Sequence, residues 1–333
     1  MTSTAAVVLA FAAAAPLVAQ APTPFATTVV GSVTNGGAGG GVFAPANALG
    51  APGGALAVHS LGIDGSLTLG FAAPLTDGPG ADLIVWENAF QVGTSFWLSF
   101  AELAFVEVSS DGVTFARFPS RYQGPDVAPG PFGNLPIGAC SGLAGQHPVR
   151  ATMAGADPLD VVEAGGDAFD LADLQGDPNV LNGLVDLQAI TQVRLVDVVS
   201  GVSTDTNGVA ILDPGAGSAD IDAVAALHQQ GFVAAGNPVV ELEIATDGTM
   251  LLHFSDPDGV GDLDAASVRA ALFGLPVDVF GLLSAMQLQS ADANGFTLVQ
   301  PVPLPPSLQF SLAFSLKDAA GNRSGQSRVR PTP

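Results

Sequence analysis

The sequence of 333 residues predicts an all-β protein built from two consecutive antiparallel sandwiches. Segments of strand length, rich in Val, Leu and Phe, recur along the chain without long helices between them. The 41 glycines and 25 prolines supply the turns that such short segments need. This spacing favours antiparallel packing over a parallel α/β sheet, which would require a helix after most strands.

The first unit is assigned to residues 22–231. Its strand-like segments are 55–61, 66–71, 81–86, 101–109, 113–118, 191–199, 209–213 and 220–227. Asp111 and Gly112 form a typical tight-turn pair and predict a hairpin between the segments that flank them. The stretch 119–165 is irregular and rich in Gly and Pro, and residues 177–190 have room for one short helix.

The second unit is assigned to residues 237–333 and follows a Gly-containing linker at 228–238. Its strand-like segments are 239–246, 249–256, 267–274, 276–280, 296–302 and 308–318. The size of this unit and the spacing of its segments fit an immunoglobulin-like sandwich.

The N-terminus predicts export. Residues 1–21 form a predicted signal peptide, because the apolar run Ala5–Ala19 is too short for a comfortable membrane span and small residues allow cleavage after Ala19 or Ala21. No later apolar run is long enough to be a transmembrane anchor, so we expect an extracellular or cell-surface protein. A buried N-terminal helix is the alternative. Cys140 is the only cysteine, which leaves no intrachain disulfide.

The charge is strongly one-sided. The formal net charge is −22, and 25 of the 31 acids are Asp while Lys317 is the only lysine. A chain this acidic repels phosphate backbones, which excludes nucleic acid as an expected partner. The preference for Asp indicates turns or loops that bind a metal through oxygen, because a short carboxylate reaches its own backbone or a nearby cation.

Six motifs of the first unit, in this order, resemble a group of exported bacterial cell-surface proteins with a galactose-binding-like (discoidin-like) domain. They are "PANALGAP", "GSLTLGF", "GPGADLIVWENAF", "ELAFVEVSSDGVTFARFP", "AGGDAFDLAD" and "DIDAVAAL". The resemblance implies a jelly-roll sandwich with a non-catalytic binding or adhesive role. "SDPDGVGDLDAASVRAALFG" and "KDAAGN" make the second unit similar to bacterial immunoglobulin-like modules.

Acidic side chains define two candidate metal sites. The apolar segment 81–86 ends abruptly in Glu87 and Asn88, and burying a carboxylate without a partner is costly. Gathered strand ends would form a structural Ca²⁺ site; the predicted ligands are Glu87, Asn88, Asp167, Asp170, Asp173, Asp220 and Asp222. The alternative is that each Asp caps a turn and Glu87 pairs with an arginine. The second candidate is a loop with Asp256, Asp258, Asp262 and Asp264, for which a simple hairpin turn is the favoured interpretation.

Ligand binding is expected through aromatic side chains, and catalysis is not expected. Trp97 and Tyr122 are the predicted contacts to an extracellular glycan or cell-surface component, whereas Trp86 is assigned to the core. Known nucleophile, phosphate-binding and zinc-hydrolase motifs are missing from the sequence. Glu102 and Glu107 lie five apart on one segment and therefore face opposite sides of a strand. A polysaccharide hydrolase with carboxylates from distant strands, or a purely structural surface spacer, are the alternatives.

Overall fold

The structure is a computed structural model that describes residues 23–35, 42–54, 56–93, 95–214, 217–231, 238–245, 247–272, 275–304, 312–319 and 323. The predicted signal peptide and residues 232–237 of the linker lie outside this range. The described residues form antiparallel sheets with only short helices, which confirms the predicted all-β class.

The described part of the first unit contains fifteen strands, most of them short. They are β1 Thr28–Val33, β2 His59–Ser60, β3 Ser66–Leu75, β4 Leu83–Glu87, β5 Phe90–Gln91, β6 Leu98–Phe100, β7 Ala104–Ser109, β8 Ala116–Arg117, β9 Arg121–Tyr122, β10 Leu135–Pro136, β11 Cys140–Ser141, β12 Leu143–Ala144, β13 Asp167–Phe169, β14 Ile190–Asp197 and β15 Asp220–Ala226. Its helices are α1 Val161–Ala164 and α2 Pro178–Leu181, with 3-10 turns at Pro45–Ala48 and Leu171–Leu174.

Two sheets enclose the main core of this unit. One has the strand order β1-β3-β14-β7-β12, with β8 paired to β7, and the other has the order β13-β4-β15-β2. Alternate side chains of both sheets meet in one apolar cluster, for example Leu67 and Val193 from the larger sheet with Val85 and Phe169 from the smaller one. Period-two alternation therefore builds a two-layer sandwich. The predicted turn at Asp111 and Gly112 joins β7 and β8.

A small sheet with the order β10-β6-β5 extends from this sandwich. Phe90 of β5 lies opposite Phe100 of β6, so residues 90–100 form a hairpin. We call residues 90–100, without the undescribed residue 94, the aromatic hairpin. It begins just after the end of β4 and ends just before β7, so it connects one sheet of the sandwich to the other.

The second unit is also a pair of sheets around one core. Its elements are β16 Val239–Ile244, β17 Met250–Ser255, β18 Leu263–Leu272, β19 Leu275–Pro276, α3 Val279–Ser284, β20 Gln287–Ala291, β21 Gly295–Val299 and β22 Leu312–Asp318, with a 3-10 turn at Val260–Asp262. The sheet orders are β16-β17-β21-β20 and β19-β18-β22. Side chains such as Leu252 and Phe314 fill the space between them.

Polar contacts join the two units at α1. The hydroxyl of Ser315 donates to both carboxylate oxygens of Asp160 at 2.9 Å. Lys317 and Arg323 pair with Asp157. Three side chains of the second unit thus bind carboxylates that precede α1.

Two predicted strands were wrong. The segment 209–213 forms only an isolated bridge between Thr204 and Ala210, because its backbone follows loop turns around Asp205. The segment 276–280 runs into α3, for which Asp278 is the cap: its carboxylate accepts from the amide of Phe280. The short helix predicted within 177–190 is confirmed as α2. Among the described residues, none of the helices has the length and apolar character needed to cross a bilayer.

Candidate metal centre and ligand surface

Glu87 is the last residue of β4 and lies inside the sandwich. Leu83 and Val85 of the same strand point into the core between the sheets, and Glu87 follows in the same alternation. Only 2% of its surface is exposed. One oxygen, Oε1, accepts from the amide of Asp220 at 3.1 Å. The other, Oε2, is buried without a hydrogen-bond partner.

Glu87 belongs to a network of six acids, which we call the acidic centre. Glu102, Asp167 and Asp220 repel Glu87 directly, and Asp197 and Asp213 repel Glu102. Four members lie at strand ends, Glu102 lies between β6 and β7, and Asp213 lies in the loop between β14 and β15. The acidic centre comprises Glu87, Glu102, Asp167, Asp197, Asp213 and Asp220.

Burial and mutual repulsion raise the pKa of several of these carboxyls. The pKa of Glu87 lies well above its ordinary value, mainly because burial disfavours the charged form, with Glu102 as the next cause. Burial and the charges of Asp220 and Asp213 raise the pKa of Glu102 to about 8. Burial is also the main cause for Asp213, with a pKa of about 7, and Asp197, with a pKa of about 6. Such shifts often mark functional sites.

Three members of the acidic centre already have strong local partners. Asp167 accepts from the amides of Gly145 and Gln146 and contacts Nδ1 of His147 at 2.7 Å. Asp197 accepts from the amides of Asp64 and Ala219. These bonds fix loops and explain why the carboxylates are retained in the interior. Asp213 is held in the same way, by the amide of Leu103 and the hydroxyl of Ser200.

Three buried atoms in or beside the acidic centre lack a hydrogen-bond partner. Besides Glu87 Oε2, the buried atoms Oδ1 of Asp220 and Nε2 of His59 have no hydrogen-bond partner. His59 Nδ1 lies 2.8 Å from the carbonyl of Phe43, so Nδ1 carries the proton. Burial lowers the pKa of His59, which favours the neutral ring and leaves a lone pair on Nε2. Each of the three unpartnered atoms can therefore accept a proton or bind a cation.

Among the described residues, no lysine or arginine forms a salt bridge with the acidic centre, and His147 contacts only Asp167. Two of the few arginines, Arg117 and Arg194, pair with Glu107 on the other side of β7. Unpartnered hard oxygens in a strongly acidic surrounding fit a divalent cation, and Ca²⁺ takes such ligands. Glu87, Glu102 and Asp220 are the candidate ligands of the acidic centre, although the three do not place their oxygens within 4.8 Å of one another.

Two glycines make room for the carboxyl groups. A Cβ on Gly217 would stand 1.5 Å from Oε1 of Glu102, and a Cβ on Gly145 would stand 2.3 Å from the backbone carbonyl oxygen of Glu102 and 3.3 Å from Oε2 of Glu87. Only glycine at 217 lets Glu102 take its present position. The loops that carry both glycines are therefore fitted to the acidic centre.

Of the other predicted ligands of the first site, Asp170, Asp173 and Asp222 lie elsewhere, whereas Asn88 lies beside the acidic centre. β4 and β13 are antiparallel, with Asp167 opposite Val85 and Phe169 opposite Leu83, so Asp170 and Asp173 lie at the opposite end of β4 from Glu87. Asp222 accepts from the amides of two glycines at 53 and 54. A register shift between Ile221 and Ala223 gives Asp220 and Asp222 different surroundings. Asn88 follows the last residue of β4, and its backbone N–H donates to the backbone carbonyl of Asp220.

Asp170 belongs to a second group of carboxylates. Asp77, Asp82 and Asp170 each offer an oxygen within 4.8 Å of the others. Asp82 already accepts from the amides of Gly78 and Leu171, and Nδ1 of His228 lies 2.7 Å from its Oδ1. A cation here would compete with these partners. A structural role for Asp82 accounts for the arrangement.

The predicted loop of the second unit is partly assembled. Asp256, Asp258 and Asp262 each place an oxygen within 4.8 Å of the others, whereas Asp264 is not part of this group. Asp264 instead accepts from the amide of Ala266.

The predicted aromatic contacts separate into one exposed and one buried ring. Trp97 lies on the aromatic hairpin with 46% of its surface exposed, and Phe96 packs edge-on against it with a centroid distance of 4.9 Å. Phe90 on the same hairpin is also half exposed. Tyr122 is buried, and its hydroxyl donates to the carbonyls of Pro125 and Leu212, so this ring is not available to a ligand. Trp86 is fully buried, as predicted.

Sequence reasoning missed Glu102, Asp197, Asp213 and His59 as members of the site. A signal for one of them was present, because Asp213 ends an apolar run in the same way as Glu87, whereas Asp197 is followed by Val198 and Val199. No sequence signal marks Glu102, which shares its segment with Glu107 but lies in the acidic centre, whereas Glu107 pairs with Arg117 and Arg194.

No protein-family model matches the chain, and no curated protein sequence matches it either.

Proposed function

We propose that this chain is an exported, non-catalytic binding protein whose aromatic hairpin contacts an extracellular glycan. Ca²⁺ in the acidic centre would hold the base of that hairpin. The resemblance of the first unit to exported cell-surface proteins supports the export and the binding role.

The observation that carries the proposal is the placement of Glu87 and Glu102. Glu87 lies three residues before Phe90, and Glu102 lies two residues after Phe100, so the two acids stand at the two ends of the aromatic hairpin. Their carboxylates repel each other in the interior. A cation between them would convert this repulsion into attraction and fix both ends of the hairpin.

The exposed rings of the hairpin suit a sugar, with Phe96 and Trp97 near its turn and Phe90 at its base opposite Phe100. Phe90, Phe96 and Trp97 present apolar faces, and aromatic faces stack on the C–H surface of pyranose rings. The side-chain amide of Gln91 donates to the carbonyl of Phe96, which holds the turn in a defined shape. A pre-formed aromatic surface loses little entropy on binding.

The test is a glycan array with purified protein in Ca²⁺ and in chelator. We expect selective binding in Ca²⁺ that falls at least tenfold in chelator. Trp97→Ala should lose the binding, whereas Phe280→Ala, which removes an exposed ring of the second unit, should keep it. Trp97→Ala should still bind Ca²⁺ normally.

Three results would contradict the proposal. Absence of binding to every glycan would remove the ligand assignment, and binding that is unchanged in chelator would remove the role of the cation. Cleavage of a bound polysaccharide, lost in Glu102→Gln, would indicate the hydrolase alternative. Export is tested separately by N-terminal sequencing of secreted protein, with cleavage after Ala19 or Ala21 expected.

A further inference from the structure

The loop between β17 and β18 gathers carboxylates of the second unit. Asp256, Asp258 and Asp262 each have an oxygen within 4.8 Å of the others. Asp318, the last residue of β22, adds its charge to the same group, since it is one of the three carboxylates that raise the pKa of Asp262 after desolvation. Leu263 pairs with Asp318 across β18 and β22, which keeps that end beside the loop.

Asp256 supplies an independent indication of a ligand. Its exposed fraction is 1%, and its two oxygens differ sharply in their surroundings. Oδ1 accepts from the amide of Asp258 at 2.8 Å, whereas Oδ2 is buried without a hydrogen-bond partner. A carboxylate oxygen in the interior without a donor is costly unless a proton or a cation occupies it.

The basic side chains described for the second unit are engaged elsewhere. Arg269 pairs with Glu163, and Lys317 and Arg323 pair with Asp157, all acids of the first unit. His253 contacts Thr297 and Glu243. The carboxylates of the loop therefore have no described cationic side chain to balance them.

We propose that Asp256, Asp258 and Asp262, with Asp318 beside them, form a Ca²⁺ site that joins the two sheets of the second sandwich. The proposal does not depend on the acidic centre of the first unit. Oxygen ligands at irregular positions suit Ca²⁺, whereas Mg²⁺ demands near-ideal octahedral geometry and retains more water.

The surrounding backbone shows what the ion would stabilise. The loop is bonded to the turn between β20 and β21, through Asp256 N to the carbonyl of Asn294 and Val260 N to the carbonyl of Ala293. β17, β20 and β21 belong to one sheet, and β18 and β22 belong to the other. A cation at this loop therefore fixes one end of both sheets.

The experiment is calorimetric titration of Ca²⁺ into the full chain after removal of metal, with Mg²⁺ as a second titrant. We expect Asp256→Asn to weaken one Ca²⁺ event at least tenfold, because the amide keeps the bond to Asp258 but removes the charge. Asp264→Asn is the matched control, with the same charge change in the same loop region, and should stay within twofold. Glu102→Gln should leave this event unchanged, which separates this site from the acidic centre.

Hydrogen exchange on the wild-type chain keeps the test valid if Asp256→Asn folds poorly. We expect Ca²⁺ to slow exchange of the Val260 amide and of the turn at 292–295 at least tenfold. Unchanged exchange in these segments, equal Ca²⁺ binding by Asp256→Asn and wild type, or equal responses to Mg²⁺ and Ca²⁺ would each overturn the proposal.

Discussion

Raising the pH in the presence of a chelator should destabilise the first sandwich, which is the opposite of the behaviour of most buried carboxylates that form ion pairs. The pKa of Glu102 is about 8 in the folded chain, against an ordinary value of 4.5. The folded state therefore holds a proton on Glu102 between these values that the unfolded chain has released. The contribution of protonated Glu102 to the free energy of unfolding is fully present below about pH 4.5. It is lost as the pH rises through about 8.

The magnitude follows from the same numbers. Each tenfold difference in proton affinity corresponds to about 1.4 kcal/mol, so complete ionisation of Glu102 costs the folded state at most about 5 kcal/mol. Solvent relaxation reduces this, while the raised pKa values of Asp213 and Asp197 act in the same direction. We expect a loss of at least about 2 kcal/mol between pH 5 and pH 9, which is about 1 M in the urea midpoint.

Tryptophan fluorescence during urea unfolding measures this unit selectively. Both tryptophans lie in the first sandwich, and Trp86 is fully buried. In saturating Ca²⁺ the pH dependence should become shallower, because the cation stabilises the ionised carboxyls. Glu102→Gln is the matched control and should reduce the pH dependence in chelator. Stability in chelator that is constant or rises from pH 5 to pH 9 would refute the reasoning.

Three further predictions concern groups outside the acidic centre. Glu107→Ala leaves Arg117 and Arg194 without their shared carboxylate and should lower the free energy of unfolding by about 3 kcal/mol in the same urea assay. A loss below about 1 kcal/mol would contradict the role of Glu107 as a buried ion-pair partner. Gly166 has a φ of +78°, and a Cβ there would stand 2.7 Å from the ring of Trp86. Gly166→Ala should therefore lower the free energy of unfolding by at least about 2 kcal/mol. A free energy of unfolding equal to that of wild type would show that the ring can move. Asp160→Ala removes the acceptor for the Ser315 hydroxyl and the cap of α1. Scanning calorimetry should show a free energy of unfolding that is lower by about 1 to 2 kcal/mol. An unchanged thermogram would mean that these bonds of Asp160 contribute nothing to stability.

Local sequence signals were sufficient for much of the sheet framework. The apolar segments that became β3, β4, β7, β14 and β15 were placed from their composition alone, and the turn at Asp111 and Gly112 is where the Asp-Gly pair predicted it. These features depend on neighbours in sequence, namely alternation, β-branched residues and turn residues. Short strands such as β9 to β13 were missed, because two or three residues carry too little periodic signal.

The sequence by itself determined that acids end several buried strands, and it identified Glu87 as a carboxylate in need of a partner. Only the tertiary structure decided which acids meet. The antiparallel register of β4 and β13 brings Asp167 toward Glu87 and sends Asp170 to the far end of the strand. The hairpin after β4 returns the chain so that Glu102 approaches Glu87 from the other sheet. The strand register and the path of the hairpin depend on long-range packing in the whole sandwich, so no local sequence pattern specifies them.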